Sequence, residues 1–167
     1  MMNALIPGKR MRRAVLALCL FWMMLFIWEG GACAAPLTTK YFGLNLPPDW
    51  TVLDGPRKEG KSVRVQLGNK AKTAAVALAV GPARPGDAEK AADAYAKRLL
   101  GAKPVARNGQ IYFTFGHQGE RGYAILREDV LSGLLLICIV SGDLKAADFI
   151  YEMRGPYKAL RPSRPTP

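Results

Sequence analysis

The residues of this chain that could do chemistry are few, and the most suggestive pair lies in one glycine-rich segment. His117 is the only histidine in the sequence, and Glu120 follows it three positions later, among Gly116, Gly119 and Gly122. An imidazole and a carboxylate can both bind zinc, but a protein zinc site takes three or four ligands. The pair therefore favours a solvated turn, and we predict no metal site.

Other catalytic arrangements are equally incomplete. No serine lies in a G-x-S-x-G turn, and the glycines around His117 join two predicted strands, whereas a phosphate-binding loop leads into a helix. Glu128 and Asp129 are adjacent, so on a strand they would point to opposite faces and could not form an acid–base pair. Cys138 lies in an apolar segment, where a thiol is typically inert. We predict no catalytic residue and no cofactor.

The segment 134–140 organises the predicted fold around these residues. It is seven residues long and uncharged, and it lies between Gly133 and the Ser141-Gly142 pair. A short apolar segment bounded by turn residues is typical of a strand. Apolar side chains at both odd and even positions require that both faces of its sheet be covered. Two amphipathic segments could cover them, and we predict helices at 87–100 and 143–154, capped by Asp87 and Asp143.

Alternating apolar residues predict further strands along the chain. In 62–67, for example, Val63, Val65 and Leu67 would face the core while Arg64 faces solvent. Short turns such as Asn108-Gly109 make the sheet mainly antiparallel. The fold class is therefore predicted to be α+β, an α/β/α sandwich with helices on both faces of the sheet. The strands are expected at 41–46, 50–53, 62–67, 73–80, 110–115, 123–127 and 134–140.

Two packing contacts are predicted from residue size. Ala75, Ala77 and Ala79 form the small-residue face of strand 73–80, and we expect the helix 87–100 to pack closely against them. Trp50 follows a proline pair at the start of a strand. An exposed anchor for a partner or glycan is one interpretation, but a tryptophan in this position more often closes the edge of the core.

The N-terminal residues predict export from the cell. Four basic residues at 9–13 precede fifteen uncharged, mostly apolar residues at 14–28 and the small-residue sequence Ala32-Cys33-Ala34-Ala35. This is the layout of a secretory signal peptide, with Ala32 and Ala34 at the positions read by the peptidase and Ala35 as the first mature residue. The apolar segment is short for a membrane span, which needs about 20 residues. As an alternative, Gly30-Gly31-Ala32-Cys33 resembles a lipobox, in which case Cys33 would be lipidated and anchor a lipoprotein.

The remaining chain is predicted to be one domain with a mild positive charge. We expect a signal peptide at 1–34, a single α+β domain at 35–157 and a disordered, proline- and arginine-rich tail at 158–167. Without 1–34, 20 of the 24 basic and 12 of the 13 acidic residues remain, a net charge of +8. Outside the cytoplasm we expect no nucleic acid as a partner. The charge indicates an unknown protein or an anionic envelope polymer as partner, or only a solvated surface. Contact with a membrane is expected only through the signal segment or a lipid anchor.

The opening Phe42-Gly-Leu-Asn-Leu-Pro-Pro-Asp-Trp50, together with the order of elements, resembles the superfamily of the photosystem II extrinsic protein PsbP, the Ran-release factors and small bacterial periplasmic proteins. The resemblance covers residues 38–157 and implies a PsbP-like fold. Members act mainly as adaptors or accessory subunits, which implies a non-catalytic binding or accessory protein of the bacterial cell envelope. An envelope-polymer hydrolase remains the alternative, because a carboxylate pair assembled across a fold is not visible in sequence.

Overall fold

The structure, a computed structural model, describes residues 35–117 and 119–164, without the side chains of Ala35, His117 and Glu120. The predicted signal peptide, its residues Ala32 and Ala34 and the alternative lipidation residue Cys33 lie outside the described residues. The described residues belong to one folded unit, in which Ala35 is the first residue of a strand.

A seven-stranded antiparallel sheet forms the centre of this unit, in the order β3-β4-β5-β9-β8-β7-β6. A separate hairpin pairs β1 with β2. The strands are β1 (Ala35–Thr38), β2 (Gly43–Leu46), β3 (Trp50–Glu59), β4 (Ser62–Asn69), β5 (Ala74–Pro82), β6 (Val105–Arg107), β7 (Gln110–His117), β8 (Glu120–Asp129) and β9 (Leu134–Gly142).

The apolar segment 134–140 does form the inner strand β9, between β5 and β8. Cys138 lies opposite Leu78 on one side and Ile125 on the other, and all three are buried. On the opposite face, Ile137 and Ile139 are only half-buried. One face of the strand is therefore fully covered, as predicted, and the other is covered in part.

The helix α1 (Asp87–Arg98) lies on that second face and packs on β7 and β8. Its buried Ala92 and Ala96 belong to one apolar cluster with Phe113, Ala124 and Leu126. Small helix side chains let the helix approach the sheet closely, and the alanine spacing of four keeps them on one face. The sequence predicted the bounds of this helix correctly within two residues, but its N-cap is Gly86 and not Asp87, whose carboxylate accepts a hydrogen bond from the N–H of Arg84.

The predicted contact between this helix and the alanines of β5 is wrong. Ala75 is exposed, and Ala77 and Ala79 are only half-buried, because α1 lies over β7 and β8. On β7 the buried Phe113 packs against the small helix residues and gives them a large apolar surface to bury against. Ala77 and Ala79 instead form part of the floor of an open groove beside the helix.

The prediction of helices on both faces, and with it the α/β/α sandwich, is also wrong. The described residues contain one α-helix, and the fold is mostly antiparallel sheet. The face opposite α1 is covered by the β1–β2 hairpin and by two 3₁₀ helices, Asp148–Glu152 and Lys158–Leu160. Leu37, Leu44 and Leu46 of the hairpin are buried there.

Within the predicted helix 143–154, residues 148–152 form a 3₁₀ helix instead, and the burial pattern fits this shorter period. Ala147, Ile150 and Met153 are all buried, at intervals of three residues. In a 3₁₀ helix residues three apart lie on one line, whereas in an α-helix they diverge. The backbone N–H groups of Ile150 and Met153 accordingly donate to the carbonyl oxygens three residues before them, over 3.1 and 3.2 Å.

The packed chain continues into the region predicted to be a disordered tail. Leu160 is buried in the main core. Gln110, which is buried, donates to the carbonyl oxygen of Ser163 at 3.0 Å and accepts from its N–H at 3.1 Å. These contacts extend the described domain to residue 164.

The different environments of Ala92 and Ala77 lead to a testable prediction. We expect Ala92→Leu to lower the free energy of unfolding by about 1–3 kcal/mol, because a larger side chain must fit between α1 and the sheet at a fully buried position. Ala77→Leu adds the same atoms over the open groove, and we expect a change within about 0.5 kcal/mol. Urea denaturation of both variants measures the difference. Equal losses would show that the groove above Ala77 is closed in solution.

Candidate functional site

The turn with the predicted His117 and Glu120 pair is a tight hairpin between β7 and β8. The two residues are register partners, with Gly119 in the left-handed conformation between them. Their side chains are outside the described atoms, so the structure gives no geometry for a metal there. Within the described residues, no three His, Cys, Asp or Glu side chains come together in a group that could hold a metal ion.

The adjacent carboxylates Glu128 and Asp129 are separated, as predicted. Glu128 accepts a hydrogen bond from the N–H of Ala88, in the first turn of α1, at 3.3 Å. Asp129 accepts from the N–H groups of Leu131 and Ser132 in the β8–β9 turn, at 3.2 and 3.4 Å. Each carboxylate thus holds a different backbone segment.

The buried nucleophilic and titratable groups are also held in unreactive states. Burial raises the pKa of the Cys138 thiol to about 12, so the thiol stays protonated at neutral pH. The hydroxyl groups of Tyr123 and Tyr151 lie 2.7 Å apart in a hydrogen bond. Burial raises the pKa of both phenols. These groups contribute to the core between β8 and the first 3₁₀ helix.

The most distinctive surface is one end of the sheet, where several loops bring basic side chains together. Antiparallel pairing places the β4–β5 turn, the end of β9 and the start of β8 at this same end. The helix α1 runs towards it, because the N–H of Ala88 at the helix start donates to Glu128, whereas the N–H of Ala102, just after the helix, donates to the carbonyl oxygen of Thr114. Basic residues also suit the last turn of a helix, where the helix dipole is negative. The residues of this surface, which we call the basic end, are all exposed: Lys70, Lys72, Lys97, Arg98, Lys103, Arg121 and Lys145.

The positive charge of the basic end is not neutralised by the described carboxylates. Four ion pairs are found in the described part of the chain, and none involves a residue of the basic end. Asp49 and Asp143 lie in turns at this end, and Glu120 precedes Arg121 in the β7–β8 hairpin, so the seven basic residues outnumber these carboxylates. Asp143 accepts hydrogen bonds from the N–H groups of Lys145 and Ala146, at 3.1 and 3.4 Å. The surface therefore has an excess of positive charge available to a partner.

The two lysines of the β4–β5 turn are held by a buried asparagine. Asn69 accepts hydrogen bonds from the N–H groups of Thr73 and Ala74, at 2.8 and 3.1 Å, and donates to the Thr73 hydroxyl at 2.8 Å. The N–H of Asp143 donates to the carbonyl oxygen of Thr73 at 2.8 Å, which places the segment with Lys145 beside this turn. Lys70, Lys72 and Lys145 thus extend from an ordered backbone.

The opposite end of the sheet has a mixed charge. Lys58, Lys61, Arg84 and Lys90 are exposed there, but Glu59 follows Lys58 at the end of β3, and Asp87 and Glu89 lie with Lys90 in the first turn of α1. Lys90 is paired with Asp87 at 3.5 Å. An N–H donated by Arg84 holds the pKa of Asp87 below its usual value, so this carboxylate stays charged. The comparison makes the basic end a local feature, not a consequence of net charge alone.

The sequence gives no direct signal for the basic end, because its residues are scattered between positions 70 and 145. The antiparallel register brings Lys70, Lys72, Arg121 and Lys145 to one end, and the packing of α1 on the sheet adds the residues at the end of the helix. The predicted strands 62–67 and 134–140 end shortly before Lys70 and Lys145, and the predicted strand 123–127 begins shortly after Arg121. If these strands are antiparallel neighbours, the three basic residues lie at the same end of the sheet. The sequence alone therefore indicated a solvated basic surface without a location.

Comparison with other proteins adds little to this geometry. No protein-family model matches the chain, and neither does any curated protein. A crystal structure at 1.50 Å resolution from Bacteroides thetaiotaomicron VPI-5482 is similar, with a TM-score of 0.44 and 14% sequence identity. The match covers 71% of this chain and 46% of that one, so it spans less than half of the other chain. The resemblance to the PsbP superfamily stays a prediction.

The described residues contain no helix with the length and apolar character needed to cross a bilayer.

Proposed function

We propose that the protein is an exported, non-catalytic binding or accessory protein of the bacterial cell envelope that docks on an anionic partner, a protein or an envelope polymer. The basic end carries this proposal, because its seven exposed basic side chains have no ion-pair partner among the described residues. Charges of this kind attract an oppositely charged surface over about 10 Å at 0.1 M salt.

Binding to the envelope and its dependence on salt test this proposal. The purified chain 35–167 is mixed with envelope fragments of the source cells at low ionic strength, and the bound fraction is followed as salt is raised. Binding that weakens steadily with salt is expected, because exposed charges are screened. Salt-independent binding would contradict docking through the basic end. Turnover of an envelope substrate that is lost on alanine substitution of His117 or Glu120 would instead favour the hydrolase.

Export itself has a separate test. We expect the protein extracted from the envelope to begin at Ala35, because Ala32 and Ala34 occupy the small-residue positions before it. Intact-mass measurement identifies the first residue. A mass that begins at Cys33 with a diacylglyceryl group would overturn this cleavage site in favour of the lipoprotein.

A further inference from the structure

An open groove lies between α1 and the edge strand β3, apart from the turns of the basic end. Its floor consists of the helix-facing sides of β4, β5 and β9, and its volume is about 340 Å³. This size lies near the lower limit of small-molecule sites, about 300 Å³. The groove exists because the twelve-residue helix α1 covers β7 and β8 and leaves the neighbouring strands open.

The part of the floor formed by β5 and β9 is apolar and is not covered by any other described element, whereas Gln66 and Arg64 of β4 line its other side. Ala77, Ala79, Ile137 and Ile139 are half-buried there, and Leu99 at the end of the helix borders them. Partly exposed branched side chains next to flat alanines give an apolar surface that a slender apolar chain could cover. Burying such a surface is favourable in proportion to the area removed from water.

The rim of the groove carries one positive charge in excess. Arg57 is paired with Asp54 at 2.8 Å, and Arg64 with Glu59 at 3.3 Å. Arg98, on the helix side, has no ion-pair partner among the described residues and lines the same groove. The two carboxylates repel additional anions near β3, so the complementary position for one anionic group is at Arg98.

The phenol of Tyr95 adds a polar group next to Arg98, one turn earlier on the helix. A guanidinium group binds a carboxylate through two parallel hydrogen bonds, which makes arginine well suited to this group. The apolar part of the floor and the single unpaired cation at the rim therefore fit a ligand with one anionic end and one apolar end.

We propose that this groove binds a monoanionic amphiphile, a carboxylate with an unbranched acyl chain, whose carboxylate contacts Arg98 and whose chain lies on the floor of Ala77, Ala79, Ile137 and Ile139. The groove shares Arg98 with the basic end, but none of the lysines of the basic end lines it. Ligand binding in the groove is therefore a separate proposal from docking on a polymer.

Isothermal titration of the chain 35–167 with decanoate below its micelle concentration tests the proposal. Saturable binding with one site is expected. Decanol, with the same chain and no charge, and butyrate, with the charge and a short chain, should each bind at least tenfold more weakly. Decanol binding as tightly as decanoate would overturn the role of the charge. Decyl phosphate or lysophosphatidylglycerol binding tenfold more tightly than decanoate would overturn the carboxylate as the ligand.

Arg98→Gln is expected to weaken decanoate binding at least tenfold without a change in melting temperature, because Arg98 is exposed. Lys97→Gln is the matched control, since this neighbour is also exposed but does not line the groove. Ala77→Leu should also weaken binding, by filling the floor. An equal loss in Lys97→Gln, or unchanged binding in Arg98→Gln, would overturn the proposal. Both outcomes are independent of envelope binding through the lysines of the basic end.

Discussion

Replacing Trp50 with alanine is expected to lower the free energy of unfolding by about 3–5 kcal/mol, the usual cost of removing a buried tryptophan. Trp50 is the first residue of β3 and only 4% exposed, which confirms its predicted place in the core. Its ring meets that of Phe149 edge-on, with the centroids 4.8 Å apart. The substitution therefore removes both a large buried area and a favourable ring contact that joins the sheet to the first 3₁₀ helix.

A matched control exists three residues further along the same strand. Leu53 is 64% exposed, and Leu53→Ala is expected to change the free energy of unfolding by less than about 0.5 kcal/mol. Trp50 is the one tryptophan of the chain 35–167, so Trp50→Ala removes the tryptophan fluorescence that usually reports unfolding. Denaturant unfolding of both variants is therefore followed by far-ultraviolet circular dichroism. A loss below about 1 kcal/mol for Trp50→Ala would mean that the contact between β3 and the segment 148–152 is not formed in solution.

The parts of the fold that follow from local pattern could be predicted from the sequence. Val63, Val65 and Leu67 are buried and Arg64 is exposed, as strict alternation indicates. The apolar segment around Cys138 forms an inner strand, with one face fully buried and the other half-buried. Such patterns depend on each residue and its near neighbours alone, so one sequence contains enough information to read them.

The parts that depend on which elements meet could not be predicted in the same way. The segment 143–154 is amphipathic with the period of an α-helix and with that of a 3₁₀ helix. In the folded chain Ala147, Ile150 and Met153 are all buried in the core, which fits the 3₁₀ period. The helix α1 packs on β7 and β8, where its alanines meet Phe113, and no local pattern shows which strands a helix will cover. The hairpin partner β1 is four residues long and was not predicted, because a strand of that length has too few alternating positions to stand out.

The candidate site shows the same limit more strongly. Lys72 and Lys145 are 73 positions apart in sequence and approach one another because the N–H of Asp143 bonds to Thr73. A charge pattern read along the chain finds these lysines isolated and solvated. The register of β4, β5 and β9 is what turns them into one surface. The location of the basic end is therefore a property of the topology.

Neutralising the basic end is expected to have the largest effect on function. In a variant with Lys70, Lys72, Lys97 and Lys103 changed to glutamine, we expect envelope binding at low ionic strength to weaken by up to roughly a thousandfold. Each basic side chain near an anionic surface contributes about 1 kcal/mol, so four contribute about 4 kcal/mol, and 1.4 kcal/mol corresponds to a factor of ten. The salt dependence of binding should flatten at the same time, because fewer charges remain to be screened.

The control for this variant removes the same charge from the opposite end, by changing Lys58, Lys61, Arg84 and Lys90 to glutamine. These side chains are exposed too, but Glu59, Asp87 and Glu89 lie among them, so their loss should weaken binding by less than about tenfold. Sedimentation of the variants with envelope fragments over a range of salt concentrations separates the two cases. Equal losses in both variants would mean that net charge alone, +8 in the chain 35–167, drives the association. A loss of envelope binding in the first variant alone would show that the partner docks on the basic end, where the strand register and the end of α1 bring these lysines together.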